Sequence, residues 1–192
     1  MAYVICEYEK VKQEFPEFKA TMDNLKTSLL GLATKDWGLS PAKLSLEQGY
    51  VTTVLPALFA GNAGNRLTTW NQTFTSTGSQ TIMTGVGSGG VIPEDFKVGI
   101  VGLAFLDKAI RISEIKMQIS DKKLPRINIE EAFVYNKPAI IFEEGYILDE
   151  ETAFELYGYV LSQGPQRIKL IGLQANRVKD KLLTTNVGAA VV

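Results

Sequence analysis

The chain has 192 residues, 45% of them hydrophobic, and a formal net charge of −1, which suits one folded domain, or one domain with an arm, and excludes large-scale disorder. That balance argues against a dedicated nucleic-acid binder, which carries a basic excess or stripe. The chain has no histidine, so it lacks the usual general base of Ser-His-Asp and Cys-His sites and the commonest zinc ligand; no enzyme, cofactor or small-molecule substrate is expected.

Residues 1–49 read as a helical arm. Val4, Tyr8, Val11, Phe15, Phe18, Met22, Leu25, Leu29 and Leu32 recur with four-three spacing, the a/d pattern of a helix that packs one narrow face on a helix or groove. Pro16 falls inside the seam and predicts a short helix before Phe15 and a longer one from Pro16 to Ala33, because proline fits best in a first helical turn. Lys35-Asp36-Trp37-Gly38 ends it, with Trp37 as a packing anchor. Ser40-Pro41 opens another short piece that stops by Gly49. Burying the seam does not offset the cost of ordering the arm, so the seam needs a partner surface: the chain's own body or a neighbouring subunit. The single cysteine, Cys6, reads as a small hydrophobe, with a reactive thiol or intermolecular bridge as the alternative. Met1 to Lys10 has no basic start and no apolar core, and no run approaches a bilayer span, so a soluble intracellular product is expected. The sequon Asn71-Gln72-Thr73 is then part of a Thr-rich strand.

From Gln48 to Ile92 the only charged residue is Arg66. A neutral stretch rich in Thr, Asn, Gly and Ser suits strands or loops covered by something else, and charge depletion marks interface cores.

The body, 50–176, reads as strands between turn signals. The runs are Arg66–Ser76, Ser79–Val86, Phe96–Leu106, Ala109–Ile119, Arg126–Tyr135, Ala139–Glu143, Thr152–Leu161 and Gln166–Gln174. Asp107-Lys108 predicts a tight hairpin, and a slip in alternation at Ser113-Glu114 predicts a bulge. A short helix competes with strand over Asp149–Phe154. In the last run Ile168 and Leu170 face one way and Ile171 and Leu173 the other, which predicts a strand covered on both faces. About eight strands without intervening helices favour an antiparallel sandwich or barrel. The tail, 177–192, is mildly basic and ends in small apolar residues.

Gly85-Val86-Gly87-Ser88-Gly89-Gly90 satisfies the dinucleotide-binding spacing, but a strand follows instead of a helix, and a flexible link is the better reading. Glu143, Glu144, Asp149, Glu150 and Glu151 suggest a solvated acidic turn, with a divalent cation between subunits as the alternative. Glu130-Glu131 reads as an exposed strand end, and Lys122, Lys123 and Arg126 as a solvated basic turn.

The layout of an N-terminal arm, about eight strands and a short tail resembles the single jelly-roll capsid proteins of icosahedral viruses. The resemblance implies an eight-stranded antiparallel jelly roll that tiles a shell, with copies of itself as partners and the virion as its location after synthesis in host cytoplasm. Because the arm is not strongly basic, its seam is expected to pack beneath the shell, or against minor capsid proteins or an inner membrane. Phage tail and decoration proteins share these features. Two rivals remain: a β-sandwich module binding carbohydrate or protein through Trp70, Phe74 or Tyr146, and a carboxylate-dependent glycosidase using Glu143 and Glu144.

Overall fold

Runs of β-branched and aromatic residues favour half-buried strands, and here they build two antiparallel sheets. The computed structural model describes residues 2–38, 49–54, 59–60 and 70–177. The helical piece expected at Ser40-Pro41 and the tail beyond Arg177 lie outside them. In chain order the elements are β1 (Tyr3–Glu7), a 3-10 turn (Tyr8–Lys10), α1 (Val11–Glu14), α2 (Phe18–Trp37), β2 (Gly49–Thr53), β3 (Phe59–Ala60), β4 (Trp70–Phe74) and β5 (Gly78–Gly85). Then come β6 (Phe96–Phe105), β7 (Ile112–Ile119), β8 (Lys122–Lys123), β9 (Ile127–Asn128), a 3-10 turn (Glu130–Val134), β10 (Pro138–Leu148), β11 (Phe154–Val160) and β12 (Gly164–Arg177).

The first sheet has the order β1-β10-β6-β12-β2, with β4 also on β12. β12 takes β4 along Gly164–Ile168 and β2 along Leu173–Arg177, while its other edge pairs with β6. β2 and β4 therefore lie end to end, separated by an excursion that adds β3 beside β5 in the second sheet. The second sheet has the order β3-β5-β11-β7-β8, with β9 also on β7.

Between the sheets lies the main core, which includes Trp70, Phe74, Ile82, Phe105, Phe142 and Phe154. The opposite face of the first sheet carries Val101, Ala104, Ala139, Ile141 and Ile171, and α2 covers it. β12 is covered on both faces, as its sequence suggests: Ile168 and Leu170 belong to the main core, Ile171 and Leu173 to the helix side. The bulge is also where alternation slips, since Tyr159 pairs with Glu114 and Val160 with Ile112, leaving Ser113 extra.

Several expectations fail for identifiable reasons. The strands outnumber eight because the arm contributes β1 and the chain adds β2 and the short β3 and β8. Asp107-Lys108 is no hairpin, because β6 and β7 belong to different sheets. Asp107 instead ties the crossing to β12, accepting hydrogen bonds from the Arg167 backbone N–H at 2.6 Å and from Arg167 Nε at 2.8 Å. Arg126–Tyr135 is mostly not strand: Asn128 Oδ1 accepts the Glu130 N–H at 2.8 Å, turning the chain into the 3-10 segment. The acidic turn is divided, since β10 runs on through Glu143 and Glu144 to Leu148. No helix forms over Asp149–Phe154; a turn leads into β11.

Candidate functional site

The arm begins as a strand. Val4 pairs with Ile141 at the edge of β10, so the helical seam cannot extend through it. Tyr8 lies in the first 3-10 turn, and Lys169 Nζ sits 5.3 Å from its ring centroid. Val11 is buried in α1, and Phe15, Phe18 and Met22 are half-buried around the same cluster. Leu25 and Leu29 are buried on α2 and Leu32 is half-buried. Past Leu29 the stripe continues through Ala33 and Trp37. A strict heptad suits a supercoil, whereas a straight helix of 3.6 residues per turn drifts from it and here follows four-residue steps. Gly38 closes α2 in the left-handed conformation, φ 63°, which favours glycine.

The seat for Leu25 is made of missing side chains. A Cβ on Gly99 would lie 2.5 Å from Leu25 Cδ1, and one on Gly145 would lie 3.0 Å from the same atom. Leu25 is thus a knob in a hole floored by backbone. The most buried seam residues, Val11, Leu25 and Leu29, are taken up by the chain's own sheet, which is the first of the two partners the sequence left open. They are not free to meet a neighbour.

A second fastening holds the far end of α2. Lys97 on β6 is 1% exposed and faces the helix side. Its Nζ donates to Asp36 Oδ2 at 2.8 Å and to Asp149 Oδ1, with Glu150 Oε1 at 3.7 Å. It also lies 5.3 Å from the centroid of a Trp37 ring. Trp37 Nε1 donates to Glu150 Oε1 at 2.6 Å, and Glu150 Oε2 accepts the Asp95 N–H at 2.8 Å. Burial alone would lower the Lys97 pKa, but the hydrogen bonds to Asp149 and Asp36 outweigh it and hold it above the ordinary value. The Lys97 hydrogen bond holds the Asp36 carboxyl below its ordinary value. This cluster joins α2, β6 and the β10–β11 turn. The sequence signal for it was a lone lysine at an inward position of the apolar run Phe96–Phe105.

Elsewhere the candidate residues separate. Trp70 and Phe74 are 2% and 1% exposed, so neither is a surface contact for a ligand. Tyr146 is half-buried, edge-to-face on Phe142 at 5.6 Å. Residues 85–90 form a compact turn: the N–H groups of Gly85, Gly87 and Gly90 donate to Gly90, Val91 and Gly87 carbonyls. Those amides are committed within the chain and do not cradle a phosphate. Of the five carboxylates, Asp149 and Glu150 face Lys97, while Glu143 and Glu144 lie in a bulge of β10 between Ile141 and Tyr146. No group of three or more Cys, Asp or Glu residues poised to hold a metal occurs among the described residues. Cys6 is fully buried; burial, with a smaller contribution from Glu14, pushes its thiol up to about 11.

Two surface clefts stand out among the described residues. One, about 240 Å³, lies between α2 and the β10 bulge and is lined by Thr21, Asn24, Ser28, Glu143 and Glu144 among others. The other, about 230 Å³, is on the second sheet, lined by Lys116, Lys123, Arg126, Tyr157 and Tyr159 among others. Arg126 pairs with Glu114 at 3.2 Å. No helix among the described residues is long and apolar enough to cross a membrane. No family model matches the sequence, and a comparison with curated proteins gives no match.

Proposed function

We propose that the chain is a structural, self-assembling subunit with a jelly-roll body, most concretely a capsid protein that tiles the shell of an icosahedral virus. The observation that carries the reading is strand order. Leaving aside the added strands, the first sheet runs β4-β12-β6-β10 and the second β5-β11-β7-β9. The chain visits them alternately, except for β7 and β9, which share a sheet. That order is the one expected of two interlocked Greek keys, the arrangement used by viral capsid and lectin domains, and so supports the reading.

The arm supports the reading in a changed role. It thickens the subunit by sealing one face of the first sheet, and so leaves the outer face of the second sheet and the sandwich ends for neighbours. The carbohydrate-binding alternative loses two of its three named contacts, since Trp70 and Phe74 are core residues and only Tyr146 is half-buried. Light scattering coupled to size exclusion, across concentration and salt, tests the proposal. Defined oligomers or larger particles that grow with concentration are expected; a monomer at every concentration would refute it.

A further inference from the structure

We infer that the groove on the second sheet receives the β10 bulge of a second copy of this chain, a heterologous contact that rests on the assembly reading above. The groove presents Lys116 and Lys123, and neither has an ion-pair partner among the described residues. Tyr157 and Tyr159 line it, and Tyr159 is 48% exposed. Tyrosine is a residue type enriched at interfaces.

The bulge has the opposite character. Four residues of β10, 142–145, stand opposite the single β6 residue Val101, because Ile141 pairs with Gly102 and Tyr146 with Ile100. The extra length lies where β1 begins, since Tyr3 pairs with Phe142 and the Glu143 N–H reaches the Ala2 carbonyl. Glu143, Glu144 and Gly145 are all exposed. Neither glutamate has an ion-pair partner among the described residues.

The whole chain carries 20 basic and 21 acidic residues, so overall charge neither drives copies together nor keeps them apart. Local patches do: the groove offers Lys116 and Lys123 beside the paired Glu114 and Arg126, and the bulge offers Glu143 and Glu144. Complementary patches steer encounter and fix register. A patch that meets a different patch on the next copy repeats from subunit to subunit, closing into rings or continuing, as tiling requires.

Charge exchange tests this. One variant carries Glu143→Lys and Glu144→Lys, another Lys116→Glu and Lys123→Glu. Lys123, Glu143 and Glu144 are exposed and Lys116 is half-buried, and circular dichroism with thermal melting checks that each variant folds. Each variant alone is expected to need roughly tenfold more protein to associate, or more. An equimolar mixture of the two is expected to associate like the wild type, because each bulge then meets a groove of opposite sign. A wild type that associates while both variants match it overturns the inference and leaves the assembly reading standing. Loss in both variants without recovery on mixing also overturns it, since the two patches then do not meet each other. A wild type that never associates overturns both.

Discussion

Truncating Leu25 to alanine is expected to destabilise the whole molecule, not just loosen an appendage. The side chain is 5% exposed and sits in a hole whose floor and wall are Gly99 and Gly145. Glycines have no side chains to swing into the vacated space, so the cavity cannot collapse easily, and Leu25→Ala should cost about 3 kcal/mol. With a urea slope of about 2 kcal/mol per molar for a chain of this size, the unfolding midpoint should fall by roughly 1.5 M. Gly99→Ala attacks the same contact from the other side. Its methyl would lie 2.5, 2.8 and 3.0 Å from Leu25 Cδ1, Cγ and Cδ2, and such overpacking costs about 1–3 kcal/mol. Combined with Leu25→Ala, the added methyl enters empty space, so the double variant should be little worse than Leu25→Ala alone. The double-mutant cycle should therefore give a coupling of about 1–3 kcal/mol, while any intrinsic alanine-for-glycine effect in β6 cancels. Additivity within about 0.5 kcal/mol, or a Leu25→Ala variant with an unchanged midpoint, would refute the docked arm.

Lys97→Met should lower stability, read as a lower urea midpoint, because it removes the cation that Asp36 and Asp149 share, although their side chains are 33% and 45% exposed and so partly rescued by water. The pH dependence follows from the two shifts. Asp36 has a folded pKa below its ordinary 3.8, so its contribution is full above that pH and is lost as pH falls through the folded value. Lys97 has a folded pKa above its ordinary 10.5, so its contribution is full below that pH and is lost as pH rises through the folded value. The stability gap between wild type and Lys97→Met should stay flat from about pH 5 to 9 and narrow below about pH 4; a gap that changes across neutral pH would contradict this. Cys6, fully buried with its thiol pushed up to about 11, should resist thiol reagents at pH 8 in the folded protein and react fully in urea. Rapid labelling of the native protein would contradict its placement.

Local signals in the sequence were legible where they depend on neighbours along the chain. Two-sided hydrophobicity marked β12, broken alternation marked the Ser113 bulge, and Gly38 marked the end of α2. What failed depends on distant contacts. Asp107-Lys108 has the chemistry of a tight turn, but nothing local says whether the next strand pairs with β6 or crosses to the other sheet. Val4 fits a helical seam by spacing, yet the edge of β10 recruits it, with Ile5 and Cys6, as a strand. Asn128 turned an apparent strand into a 3-10 segment through one side-chain hydrogen bond. The Leu25 seat was invisible because two glycines distant in sequence, Gly99 and Gly145, make it by lacking side chains. Lys97 stood out as a lone lysine in an apolar run, but nothing local says that Asp36, Asp149 and Glu150 converge on it.

Electron microscopy of the concentrated, purified chain tests the central claim most directly. Closed particles of uniform size, or curved sheets and tubes of regularly repeating subunits, are the expected result, and they should disperse when one charged patch is reversed so that both carry the same sign. A field of single subunits at every concentration and salt condition would contradict a self-assembling shell protein.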